Sequence, residues 1–451
     1  MPGDVPLIRH IDPFEDPYLS MAAKKSRQEY RDLYRRIFDE FPKKFRELVR
    51  QQLDEYDDRV VALLSDPWAL VDWGRAVANA ADMASLWLGF SRGMLNQWHD
   101  ERAKMELREP SLDFKLGENV GNTPKEIVYS SELLDVYRYL PTDTVHRTPF
   151  LMFYSWINAY WILDLTEEVS LMRHLRDKGI ETFITAWKIP ESQTGRQASL
   201  DRYLREGLAA IDRVLDVTGQ QELGIGGYCI GGVVADILAA LRSSQVRCLV
   251  NLATALDTMA GEQGAGAFGA FTNFEIANLQ EYLDKHEGGF PKKAFEEFFD
   301  NVKPKRAVRS FFSRYVYGDT APMDPITFWN RKSAKRIMPV HAEFLRRIYN
   351  DNELAEGTMS AMGHKVDMKH LTAPALIVMA EFDHIVPMAC ALRTAHLIGT
   401  KPQDQDNVVV RGGHVRAIAN AQLNRTISQF LADRLGPKDR RAPHRIVDQT
   451  S

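Results

Sequence analysis

Residues 224–234 read GIGGYCIGGVV, with Cys229 in the middle of the glycine cluster. The segment ELGIGGYC leads in as a strand and VVADILAALRSS follows as a helix. GYCIG (227–231) thereby fits G-x-C-x-G, the thiol version of the nucleophile elbow. A sharp strand-to-helix turn holds its nucleophile in strained dihedrals with the side chain presented. The neighbours Gly227 and Gly231 must then be small, so that backbones can pass close by. The N-terminal end of the following helix offers free N–H groups and a positive dipole end, which favour a thiolate. The N–H of Ile230 is placed to donate to a developing oxyanion. The pattern alone is short, and a buried structural cysteine beside a glycine-rich turn is the alternative to it, but placement between a strand and a helix favours the nucleophile.

Two more residues complete a set. Asp383 ends the strand PALIVMAEFD (374–383) and opens DHIVP, and His414 follows the strand NVVV in RGGHV. A doubly wound sheet presents its site beyond the C-terminal ends of its strands, where Cys229, Asp383 and His414 all fall. Their chain order, nucleophile then acid then histidine, is that of α/β-hydrolases. Separately, Asp383 could open a turn before Pro387, and His414 could be a turn histidine. Three such residues in the right order, each at a strand end, outweigh those separate coincidences. His384 is a rival base; adjacent turn residues usually point apart, so His414 is preferred and His384 is read as structural. Cys248 lies inside the strand VRCLVNLAT and Cys390 in a helical stretch, so both should be inert.

A sheet must bring these residues together. EIVYSS, DVYRYL, FLMFYS (150–155) and IETFITAW (180–187) read as strands. EEVSLMRHLRDKG reads as a helix stopped by Gly179. SLDRYLREGLAAIDRVLDVTG reads as another, with Leu200, Leu204, Leu208, Ile211 and Leu215 along one face. AIANAQLNRTISQFLADRL closes the series. This alternation predicts an α/β fold, a mostly parallel sheet flanked by helices. It breaks off from about 258 to 368, which we read as a cap inserted over the sheet. Residues 1–20 are expected to be disordered. Residues 21–110 read as a helical N-terminal region broken by Pro42, residues 111–435 as the catalytic domain, and 436–451 as a flexible basic tail.

The totals exclude several classes. A net charge of −4 gives no basic excess for nucleic acid. Three scattered cysteines make neither a disulfide framework nor a zinc site, and no His/Cys cluster has metal spacing. No Walker loop is present, and no cofactor is expected. The N-terminus, rich in prolines and acids, is unlike a signal peptide, and no apolar run is long enough for a bilayer. A soluble cytoplasmic protein is the expectation.

Several longer stretches resemble the polyhydroxyalkanoate (PHA) synthases, over roughly residues 113–435. FKLGENVGNTPKEIVY is similar to that family's segment before the catalytic domain, and SWINAYWILDL (155–165) to its aromatic loop. GYCIGG is similar to its thiol lipase-like box, and ITFWNRKSAKRIMPVHAEFLRRIYNDNEL (326–354) to its cap segment. EFDHIVP and GGHV resemble its Asp and His motifs. The resemblance implies an α/β-hydrolase-like acyltransferase that polymerises (R)-3-hydroxyacyl-CoA into polyester and releases coenzyme A. Cys229 would carry the acyl group and His414 would be its general base. Asp383 would orient His414 or activate the incoming 3-hydroxyl. Trp156–Ile157 would supply a second oxyanion donor beside Ile230, and Asp257 matches an acidic position of that family. It further implies association with polyester granules and a homodimer. The resemblance leaves the need for a partner subunit open, because the N-terminal region departs from the longer, self-sufficient members. The alternative is a hydrolase, thioesterase or PHA depolymerase, using the same triad with water as acceptor. A non-enzymatic granule subunit is a third reading, opposed by the intact triad.

Overall fold

The computed structural model describes residues 8–10, 114–142, 144–260, 325–333, 338–383 and 385–440. The expected helical region 21–110, much of the expected cap, and His384 lie outside the described residues. So does the end of the expected tail.

Nine strands form one sheet: β1 (Ile8–His10), β2 (Lys125–Ser130), β3 (Leu134–Tyr139), β4 (Phe150–Phe153), β5 (Thr182–Trp187), β6 (Leu223–Tyr228), β7 (Val246–Leu252), β8 (Ala375–Ala380) and β9 (Gln405–Val410). Their order across the sheet is β1-β9-β8-β7-β6-β4-β5-β3-β2. Neighbours from β5 through β9 run parallel, while β2, β3 and β1 pair antiparallel at the edges. The mostly parallel sheet expected from the alternation is therefore present.

The reason lies in the side chains. FLMF, TFITAW, LGIGGY and ALIVMA are buried at every position, as strands covered on both faces by helices must be. The edge strand β2, KEIVYS, has no fully buried position, as an edge strand open to solvent on one side can.

The covering helices are α1 (Leu171–Asp177), α2 (Leu200–Thr218), α3 (Ile230–Leu241), α4 (Met388–Leu397) and α5 (Ala421–Ala432). Ser199 caps α2 by accepting the Arg202 N–H, and Gly219 ends it at φ 65°. The buried face of α2 differs from the leucine stripe read in the sequence. Leu200, Leu204, Ile211 and Leu215 are buried, but Leu208 is only half-buried. Tyr203, Gly207, Ala210 and Val214 take the centre instead, because Gly207 lets Leu238 of α3 and Phe153 of β4 approach the helix backbone.

Two expectations of disorder give way to pairing. Ile8–His10 lies within the segment 1–20 and is the antiparallel neighbour of β9, meeting Val408–Val410. Lys438–Arg440, in the expected tail, pairs with Thr144–His146, and Arg147 and Thr148 donate N–H groups to Pro437 and Leu435. An edge with unpaired backbone groups accepts such short segments whatever their side chains.

Candidate active site

Cys229 is the single residue between β6 and α3, with φ 54° and ψ −122°. That conformation is strained for a residue with a Cβ, and local packing holds it. The Cys229 N–H donates to Leu252 of β7 at 3.0 Å, while its carbonyl accepts from Gly232 and Val233. A Cβ on Gly227 would collide with the backbone of Gly231 and Gly232. One on Gly231 would strike the Phe153 carbonyl, and one on Gly232 the Thr254 side chain. The glycine cluster thus lets the elbow's own backbone, the Phe153 main chain and the Thr254 side chain close on one turn. Ile230 begins α3, and the first N–H groups of a helix have no intrahelical acceptor.

Asp383 lies three residues beyond β8, and His414 opens the short helix His414–Ile418 after β9. His414 Nδ1 stands 2.6 Å from Asp383 Oδ2. Asp383 Oδ1 accepts the N–H groups of Ile385 and Val386, at 2.8 and 2.9 Å. A hydrogen bond joins His414 to Cys229. With Nδ1 turned to Asp383, Nε2 is the nitrogen left for the thiol. The three residues picked from the sequence are therefore assembled, in the order sulfur, imidazole, carboxylate. Burial pulls the His414 pKa down. The charges of Asp383 and Cys229 and their hydrogen bonds outweigh it and raise the value to about 10. Tyr228 adds a face: its ring stacks on the imidazole at 5.0 Å, and its hydroxyl donates to the His414 carbonyl. This contact was not foreseen, although Tyr228 adjoins the cysteine.

The loop after β4 forms the opposite wall. Trp156 and Ile157 are buried there. The Ile157 N–H, expected as an oxyanion donor, goes to Ser155 Oγ at 3.3 Å. Asp164 braces the loop by accepting from Thr123 Oγ1 (2.5 Å), Ser170 Oγ (2.7 Å), Lys125 Nζ (3.3 Å) and Tyr139 OH (3.4 Å). A lone acid inside the apolar run WILDL was the available signal for that brace.

The helix Pro325–Ser333 explains its Phe-Trp pair. Phe328 packs on Trp161 at 5.7 Å, and Trp329 Nε1 donates to the Ala159 carbonyl at 2.8 Å. Phe344, from the helix Pro339–Phe344, meets the edge of Trp156 at 5.3 Å. The described cap residues are thus clamped to the loop.

Asp257 stands apart from the triad's hydrogen bonds. Its Oδ1 accepts from Asn352 Nδ2 and the Met259 N–H, and its Oδ2 accepts from Arg393 Nε of α4. It ties the cap chain to the sheet's flanking helix. Cys248 is fully buried, and burial pushes its thiol up to about 12, which suits an inert sulfur. Cys390 is buried in α4, with its sulfur on the Ala260 carbonyl.

The family model described as poly-beta-hydroxybutyrate polymerase (PhaC) N-terminus matches residues 78–175. That begins upstream of the stretch from 113 on which the sequence resemblance rested. The model described as alpha/beta hydrolase fold matches residues 192–420, half of the chain. A poly(3-hydroxyalkanoate) polymerase of Methylorubrum extorquens is 28% identical over 335 residues, covering 72% of this chain and 54% of the relative. The polymerase subunit PhaC of Cupriavidus necator is 27% identical, covering 76% and 59%. Polymerase 1 of Ectopseudomonas oleovorans is 28% identical, covering 69% and 55%. The chain spans little more than half the length of these curated relatives. It belongs to the α/β-hydrolase fold family, and the curated relatives it is similar to are PHA polymerases.

Proposed function

We propose that the chain is an acyltransferase of the PHA synthase type, polymerising (R)-3-hydroxyacyl-CoA into polyester through an acyl group carried on Cys229. The observation that carries this reading is a thiol on a strained elbow, hydrogen-bonded to a histidine that a buried carboxylate holds by its other nitrogen.

In the first step the Cys229 proton passes to His414 Nε2, whose raised pKa favours holding it, and the sulfur then attacks the thioester carbonyl. The Ile230 N–H steadies the oxyanion. Coenzyme A leaves as a thiol, taking the proton back from His414. In the second step His414 takes the proton of an incoming 3-hydroxyl, whose oxygen attacks the acyl carbonyl and displaces the Cys229 sulfur. Exchange between two thioesters is nearly balanced in energy, so the acyl group stays transferable. Both Asp383 oxygens are engaged, one by His414 and one by backbone, which supports an orienting role for Asp383 over direct activation of the hydroxyl. The aromatic wall clamped by the cap would favour a hydroxyl acceptor over water.

The same reading places the enzyme at the surface of its polyester product, as a homodimer or with a partner subunit. Sedimentation with and without substrate tests that assembly. Coenzyme A is substrate-derived, and no resident cofactor enters the scheme.

The deciding experiment incubates purified protein with (R)-3-hydroxybutyryl-CoA or a longer-chain analogue. Free coenzyme A, insoluble polyester and free hydroxy acid are followed together. Polymer is expected. Release of coenzyme A with free acid alone would move the reading to a thioesterase.

A further inference from the structure

Tyr154, the residue after β4, is 1% exposed. Its main chain is tied on both sides: its N–H donates to Thr185 Oγ1 at 2.8 Å, and its carbonyl accepts from Trp187 Nε1 at 2.7 Å. The elbow packs against that backbone, since a Cβ on Gly231 would meet the Phe153 carbonyl and the Tyr154 carbonyl carbon. The Tyr154 ring tilts onto Tyr228 at 5.8 Å, and Tyr228 precedes the nucleophile. Its hydroxyl is buried and finds no hydrogen-bond partner among the described residues.

A buried hydroxyl without a partner is costly, and a rigid scaffold that keeps one beside a nucleophile points to a partner arriving with the substrate. Burial, reinforced by the charge of Cys229, pushes the phenol well above its usual value, so it remains a neutral donor rather than a base. The donor once expected from Ile157 is already committed to Ser155.

Resting on the acyl-transfer reading above, we propose that the Tyr154 hydroxyl is a side-chain oxyanion donor. It hydrogen-bonds the carbonyl oxygen of the acyl group on Cys229, together with the Ile230 N–H. No proton is transferred and no bond is made or broken at Tyr154. Its donor strengthens on the oxygen as negative charge develops there.

The test is Tyr154→Phe, with three readouts on the full chain. Acetylation of Cys229 by p-nitrophenyl acetate, followed as nitrophenolate release and confirmed by mass, should slow about 100-fold, the order expected for one lost oxyanion donor. The loss should fall on the rate constant rather than on KM. Alkylation of Cys229 by iodoacetamide forms no oxyanion and should keep its rate. The thermal midpoint should hold or rise, because an unpaired buried hydroxyl has been removed. Unchanged acetylation would overturn the proposal. So would an equal fall in alkylation, which would place Tyr154 on the thiolate or in general packing. Polymer formation is scored separately. A wild-type protein that is acetylated but turns hydroxyacyl-CoA into free hydroxy acid alone sinks the synthase reading, and the Tyr154 comparison is then judged on acetylation alone.

Discussion

Asp383 and Asp236 are both buried carboxylates beside the same sheet, and they are held in opposite ways. Asp383 receives the N–H groups of Ile385 and Val386 and the imidazole of His414. Asp236, in the middle of α3, is fully buried. Among the described residues it is met by one side chain, Asn251 of β7, whose Nδ2 lies 3.0 and 2.9 Å from its two oxygens. Burial pushes the Asp236 carboxyl well above the usual carboxylate range. Depth is common to both residues, and the supply of donors separates them. Where backbone N–H groups and an imidazole are available, both carboxylate oxygens are engaged and the group can orient a base. Where a single amide is available, the proton stays on and the group serves packing.

The contrast can be broken most sharply at the nucleophile. Cys229→Ala should abolish release of coenzyme A from hydroxyacyl-CoA. Turnover that survives would remove the elbow from the mechanism altogether.

Asp383→Asn and His414→Gln come next. Each should lower kcat by about 10³-fold, the scale of a lost general base or of its misorientation. Stability follows with a definite sign. The folded His414 pKa is raised, so its stabilising contribution is complete below the unfolded histidine value of about 6.5. It is then lost as pH rises through about 10. The stability gap between wild type and His414→Gln in urea titrations should therefore close over that interval.

Asp236→Asn should behave oppositely to Asp383→Asn and leave activity intact. The folded Asp236 value is raised, so the folded state keeps a proton that the unfolded chain has lost. Wild-type stability therefore falls as pH climbs above the unfolded value of about 3.9. Asn is nearly the same shape and can pair with Asn251, so the variant should show a flatter dependence and equal or greater stability at pH 8.

The smallest effect should come from Arg393→Met. Its partner Asp257 lies in the brace between the cap chain and α4, and the Arg393 side chain is 33% exposed. Such a pair is worth under about 1 kcal/mol. Stability should move by no more than that, with catalysis unchanged. A large loss of kcat would make Asp257 more than a brace.

Sequence alone carried the strands, the elbow and the candidate triad because each is announced by neighbouring residues. Glycines flank the thiol in GYCIG, and Asp383 and His414 follow apolar β-branched runs. The same local logic misplaced Leu208. A helical stripe shows which residues could face inward, and Gly207 then decided the face by letting Leu238 approach. It also missed Ile157, whose N–H is diverted by a serine two residues away. Ser155 was visible in the sequence, but its rotamer was not.

The residue order therefore determined the fold class and the candidates for nucleophile, base and acid, because backbone strain and strand termini are properties of a few adjacent residues. Tertiary structure decided which nitrogen of His414 faces Asp383, and that Trp329 clamps the loop at Ala159. It also decided that the Tyr154 hydroxyl ends without a partner beside the elbow. Those outcomes depend on hydrogen-bond geometry between segments tens to hundreds of residues apart. Such geometry is set when the sheet forms and is written in no single stretch of the chain.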